Sequence, residues 1–194
     1  FPYTTLFRSQ LITDFKELYP DISFELFEYG SIRAANMVQE GKLALALVNM
    51  HFYEIDKLNS FTVMNDKIVF CVSKSHPLAK CHEVTIEMIK NEPLIMYNTD
   101  SVQNETLDTA FKRAGVNPNV ILHASQLYTI RNFICNNLGG AFLYSSLQKN
   151  LSGTTGIPIS PVINQNIGIV WKKGSYTTDS AEKFITYIIN KYSN

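Results

Sequence analysis

Residues 43–48 read LALALV, an apolar run with no polar break. A run that short and that apolar fits a β-strand buried on both faces. Such strands occur in sheets covered by helices, so the flanking sequence is expected to supply helical patterns. Leu11, Ile12, Phe15 and Leu18 follow helical spacing, and Pro20 stops that helix. Ile22, Phe24, Leu26 and Phe27 then read as a strand. Gly30-Ser31 turns the chain, with Ser31 placed as an N-cap. Ala34, Ala35, Met37 and Val38 give the next helix a compact apolar face that Gly41 closes. Two further strands are predicted at residues 61–64 and 67–73.

The second half repeats the alternation. Thr85 is placed as the cap of a short helix to Lys90, and residues 93–97 read as a strand. Leu107, Ala110, Phe111 and Ala114 line one helical face, with Gly115 ending it. A strand at residues 120–123 precedes the stripe Leu127, Ile130, Phe133, Ile134 and Leu138, stopped by Gly139-Gly140. Residues 141–144 form a strand, 148–161 a loop, and 167–171 a strand. Asp179 and Glu182 give a capping-box-like start to the last helix, which buries Phe184, Ile185, Ile188 and Ile189. Strands alternating with helices predict an α/β fold with mostly parallel sheets.

A length of 194 residues allows one large domain or two small lobes. Basic and acidic residues balance at 17 each, so no basic footprint advertises nucleic-acid binding. No run of ~18 apolar residues marks a membrane span. Cys71, Cys81 and Cys135 are an odd, unpatterned set that suits a reducing cytoplasm. Residues 1–9, FPYTTLFRS, match the in-frame translation of a common short-read sequencing adapter. They are expected to be an artefact fused to a truncated gene, and carry neither the basic start nor the small-residue cleavage site of a secretory signal.

Catalytic and metal chemistry find little support. Cys71, His76, Cys81 and His82 lack the paired short spacing of zinc ligands, and Cys71 sits in an apolar run. A redox pair of Cys71 and Cys81 has only Lys80 and His82 nearby to activate a thiol. No nucleophile elbow, phosphate loop or H-E-x-x-H helix is present, and the histidines at 51, 76, 82 and 123 are scattered. The expectation is no enzyme, no metal and no cofactor.

Strand ends carry the better signal. Ligands of open α/β sheets bind beyond the carboxyl ends of strands, where helix N-termini offer free N–H groups to an anion. Asn98-Thr99-Asp100-Ser101, Ala124-Ser125-Gln126 and Gly30-Ser31 each stand between a predicted strand and a predicted helix. Each hydroxyl could equally be a plain helix cap. Asp100 argues against a purely anionic ligand and suits an amino group.

QEGKLALALVN at residues 39–49, followed by DKIVFCVSKSHPL at 66–78, resembles the effector-binding domain of LysR-type transcriptional regulators. The resemblance covers roughly residues 10–192 and extends to LITDFKELYPDISFELFEYGS, VTIEMIKNEPLIMY, AGVNPNVILHAS, NNLGGAFLYSSL and IGIVWKK. It implies a two-lobed, periplasmic-binding-protein-like fold joined by two crossover strands. Lobe I would hold residues 10–72 and 165–194, and lobe II residues 73–164. The family's usual Asp after the Glu-Gly stop is replaced here by Ala44. Its first strand and DNA-binding winged helix-turn-helix should precede Leu11, so lobe I is expected to lack a strand and one wall of its pocket.

The implied function is sensing of a small organic acid or amino acid in the inter-lobe cleft, with transcription as the output. The best expected contacts are Thr99, Ser101 and Ser125, with Gly30, Ser31, Asn49, Asn98, Gln126 and Phe142 as neighbours. Arg33 and Arg131 are the candidate carboxylate partners, able to bind bidentately. A homodimer or tetramer is expected, in which the helix at 32–40 and the strand at 24–27 face a partner's helix at 127–137. DNA would be reached only through the absent N-terminal module. The alternative is a periplasmic solute-binding protein, distinguished by a signal peptide.

Overall fold

The computed structural model describes residues 2–51, 58–97, 101–174 and 178–193, with 2–8 as backbone alone. The chain separates into two compact units, Phe1–Asn65 with Asn166–Asn194, and Asp66–Gln165. The first unit contains α1 (Pro2–Leu18), α2 (Ser31–Gln39), β1 (Leu45–Asn49) and the start of β2 (Leu58–Ser73).

The second unit takes the rest of β2. It adds β3 (Val84–Thr85), β4 (Leu94–Met96), α3 (Val102–Ala114), β5 (Val120–His123), α4 (Leu127–Cys135), β6 (Gly140–Tyr144), α5 (Ser145–Gln148) and β7 (Thr154–Ser160). β8 (Asn164–Lys172) then carries the chain back to the first unit, which α6 (Asp179–Tyr192) completes.

In the first unit the helical spacing of Leu11 and Phe15 meets that of Phe184, Ile185 and Ile188, and Ile169 of β8 joins their cluster. Phe15 is fully buried, with Phe184 edge-on to it at 4.8 Å and Phe24 at 5.8 Å. Burying one such ring stabilises the fold by roughly 1.5–3 kcal/mol. β1 pairs antiparallel with β8, setting Leu47 opposite Ile169. Leu45 and Leu47 pack against the α1–α6 cluster, while α2 lies against β1 and buries Ala34, Ala35 and Val38.

Three expectations fail in this unit. Residues 22–27 form no strand: Ile22 and Phe24 are half-buried against α1 and α6, but no described strand pairs with them. A period-two pattern becomes a strand only where another edge supplies the ladder. Ser31 is the first residue of α2 rather than its cap, a place Gly30 takes with extended backbone. Thr178, not Asp179, caps α6, its hydroxyl accepting the Ala181 N–H at 3.3 Å.

In the second unit the strands follow the order β7-β2-β6-β4-β5, with β3 beside β7. The antiparallel pairs β1–β8, β2–β6 and β2–β7 each involve β2 or β8, the strands that pass between units, whereas β3–β7, β4–β5 and β4–β6 run parallel. The sheets are therefore mixed. Phe70, Phe111, Phe142 and Leu107 sit at the centre of the core. The His76-Pro77 corner opens one helical turn: His76 Nδ1 accepts the Leu78 N–H at 3.2 Å, and its Nε2 lies 3.3 Å from Glu92.

Here too the structure departs from expectation. Residues 154–160, read as loop from their Gly, Ser, Thr and Pro content, form β7 against β2 and β3. The stretch after Thr85 is a series of turns rather than a helix, with Thr85 Oγ1 accepting the Met88 N–H at 3.3 Å. The strands expected at 61–64 and 67–73 are one continuous β2.

Candidate ligand-binding turns

β4 and β5 run parallel and end together, with Met96 opposite His123. The Ala124 N–H donates to the Met96 carbonyl at 2.9 Å, so the turn after β5 is tied to the end of β4. Two helices begin beyond this edge. Ser101 caps α3, its half-buried hydroxyl accepting the Asn104 N–H at 3.2 Å. Gln126 stands at the start of α4 with no side-chain cap bond, and both it and Ser125 are exposed. The structure thus brings Ser101, Ser125 and Gln126 to one edge of the sheet. Asn98, Thr99 and Asp100 lie outside the described residues.

Two buried polar side chains at this edge escaped the sequence reading. Gln103 is 2% exposed and donates from Nε2 to the Phe142 carbonyl at 2.7 Å. Asn104 is 5% exposed and donates from Nδ2 to the Tyr97 carbonyl at 2.6 Å. Together they pin the first turn of α3 to β6 and to the end of β4. The signal was available: Gln103 precedes Leu107 and Phe111 at successive four-residue steps, which puts it on the buried face.

Phe142 itself points into the core, its ring 5.4 Å from Phe70 and 5.9 Å from Phe111. Its side chain is 2% exposed, so what it offers this edge is backbone, not an aromatic wall. Arg131 is likewise engaged: Nε donates to the Ser152 carbonyl and a terminal nitrogen to the Ser152 hydroxyl, both at 2.9 Å. It fastens α4 to the loop before β7. Burial raises the Tyr97 phenol above its ordinary range and does the same to the fully buried Cys71 thiol. A thiol held protonated is a poor nucleophile.

The first unit holds a second such turn. Ser31 is 1% exposed, and its hydroxyl accepts the Asn49 N–H at 2.9 Å. Asn49, equally buried, accepts the His51 N–H on Oδ1 at 2.9 Å. Ser31 and Asn49 therefore hydrogen-bond α2 to β1, with Gly30 just before Ser31 as the cap of α2. Arg33 lies apart from it in role, exposed, with its guanidinium 4.4 Å above the Tyr29 ring.

These turns can present backbone N–H groups and small hydroxyls to an anion. Among the described residues, no three His, Cys, Asp or Glu side chains converge as metal ligands. No described helix is long and apolar enough to cross a membrane.

The LysR substrate binding domain family model matches residues 3–193. The uncharacterized HTH-type transcriptional regulator YwbI of Bacillus subtilis is 30% identical over 93% of this chain and 61% of its own length. The transcriptional dual regulator GltC of the same organism is 27% identical over 98% of this chain and 66% of its own. The chain spans about three fifths of the first relatives it matches, 61% and 63%. Among solved structures, the Synechocystis CcmR regulatory domain in complex with 2-PG covers 97% of this chain and 92% of its own, with a TM-score of 0.89 and 21% identity. The effector-binding domain of QuiR in complex with shikimate covers 95% and 90%, with a TM-score of 0.83 and 16% identity.

Proposed function

The chain belongs to the LysR substrate-binding domain family, and we propose that it is the effector-sensing part of a transcription regulator. Its effector is a small organic acid or amino acid, and its work is binding, with no bond made or broken. The observation that carries this reading is the shared carboxyl edge of β4 and β5, beyond which α3 and α4 begin. Helix N-termini favour negative charge and suit a carboxylate. The relatives solved with shikimate and with 2-PG support the choice of a small ligand.

Thr99, Ser101 and Ser125 are the contacts we assign at that edge, with Asn98 and Gln126 beside them. Gly30, Ser31 and Asn49 form the comparable turn of the other unit. Arg33 and Arg131 become secondary, since one stacks on Tyr29 and the other holds Ser152. Reading of DNA is assigned to the part of the longer relatives that this chain does not span, and the regulator's place to the cytoplasm. Copies are proposed to pair through α2 and α4, which sedimentation at high micromolar concentration would read as a dimer.

The test is a thermal-shift screen of small organic acids and amino acids, shikimate and 2-PG included. At least one raises the melting temperature, as a ligand specific for the folded state must. The gain disappears when Thr99→Ala and Ser125→Ala are combined. Stabilisation that survives this double change places the site elsewhere.

A further inference from the structure

The start of α3 is tied into the sheet at the point where two strands stop pairing. β4 is short, and its parallel register with β6 runs from Leu94–Gly140 to Ile95–Ala141. β6 continues to Tyr144, so Phe142 lies one residue past that register. There the Phe142 carbonyl is met by a side chain, Gln103, whose Nε2 donates to it at 2.7 Å. One residue on, Asn104 Nδ2 donates at 2.6 Å to the carbonyl of Tyr97, which directly follows β4. Two side-chain amides therefore take up backbone acceptors where the β4–β6 ladder runs out.

Gln103 does more than fill space. It is buried, and burying an amide is unfavourable unless the amide is hydrogen-bonded. Leu107 and Phe111 continue its face of α3 into the apolar core, so packing alone would be served by an apolar side chain. Its place is the first turn of α3, two residues after the Ser101 cap. The first N–H groups of a helix have no partner within it, and they are what an anion meets. A strand carbonyl left open beside them would oppose a bound carboxylate, and the Gln103 amide covers one.

We propose that Gln103 is a positioning residue of the effector site: its bond to Phe142 fixes where the first N–H groups of α3 stand, and so sets the affinity for the acid. This rests on the effector reading above and adds to it the residue that aims the site. Gln103 acts through α3 and does not touch the acid. Asn104 supports the same turn from the β4 side.

The test makes the donor depend on pH. Gln103→Glu keeps the shape of the side chain, but a carboxyl donates only when protonated, a form that burial favours. At about pH 5 the variant should behave as the unaltered chain does, and at about pH 8 an ionised carboxylate would face the carbonyl oxygen and the bond is lost. Amide exchange at 102–105, corrected for its intrinsic pH dependence, should quicken in the variant at the higher pH alone. The second readout is the dissociation constant of whichever acid of the screen above, shikimate and 2-PG included, stabilises the unaltered chain. Relative to that chain it should rise about tenfold at the higher pH and stay level at the lower, a factor in keeping with one lost buried hydrogen bond. Gln103→Met fills the same space with no donor and should show both losses at either pH. It carries the test if the first variant unfolds at the higher pH.

A side chain that only packs would tolerate Met and be indifferent to pH as Glu, and that result overturns the proposal. Faster exchange with unchanged affinity overturns it too, since Gln103 would then hold the helix and not the site. If no acid of the screen binds the unaltered chain, the effector reading itself fails and this assignment with it. Binding that is equally tight in all three chains overturns the assignment and leaves the effector reading standing.

Discussion

Gly140 begins β6 where Phe70 leaves no space for a side chain: a Cβ there would lie 2.3 Å from the ring Cζ. Its neighbour Gly139 would put a Cβ 2.5 Å from the Pro93 carbonyl oxygen. The Gly-Gly pair, legible in the sequence as a helix stop, therefore also lets β6 slide between β2 and β4. Gly140→Ala must displace a core phenylalanine, and overpacking of this kind costs about 1–3 kcal/mol. Urea unfolding of the variant should show a lowered midpoint with an unchanged slope. Other residues were legible by type but not by role. Ser31 was read as a cap because Gly-Ser precedes a helical stripe, yet its hydroxyl serves Asn49, which follows it by 18 positions. Nothing local in sequence encodes that bond. Gln103 was passed over because it is polar, although its spacing places it inside.

At the scale of elements, α3, α4 and α6 were readable because apolar residues recur on one face, with Gly115 marking the end of α3. Strands were less so, since a strand is settled by its neighbours. Residues 154–160 contain Gly156 and Pro158 and still form β7, because β2 and β3 pair with them. Residues 22–27 have the better strand pattern and form none, because no edge meets them. The α2–β1 junction shows how elements are fixed to one another. Ser31→Ala removes the acceptor that Ser31 gives the buried Asn49 N–H, and loss of a buried partner costs about 1–3 kcal/mol. We expect a drop of that size in unfolding free energy, together with faster amide exchange at the start of α2 and the end of β1. An unchanged stability would mean that the junction is not held by this bond.

At the scale of the whole molecule, β2 was read as two strands because the polar pair Asn65-Asp66 interrupts its apolar pattern. The strand runs through, and that pair marks where the chain leaves one unit for the other. The break in polarity coincides with the unit boundary and not with a break between strands. Fold class was legible because alternation of strand and helix survives errors in single elements. The candidate site was half legible: its hydroxyls stood out at strand ends, whereas Gln103 and Asn104, which hold α3 in place beside them, did not.

We propose that a small acid binds at the starts of α3 and α4. Hydrogen–deuterium exchange, with and without an acid that stabilises the chain, tests it most directly. Slower exchange is expected at 101–104 and 124–127, the two helix starts, with little change along β7. Protection absent from both turns, or confined to other elements, would contradict it.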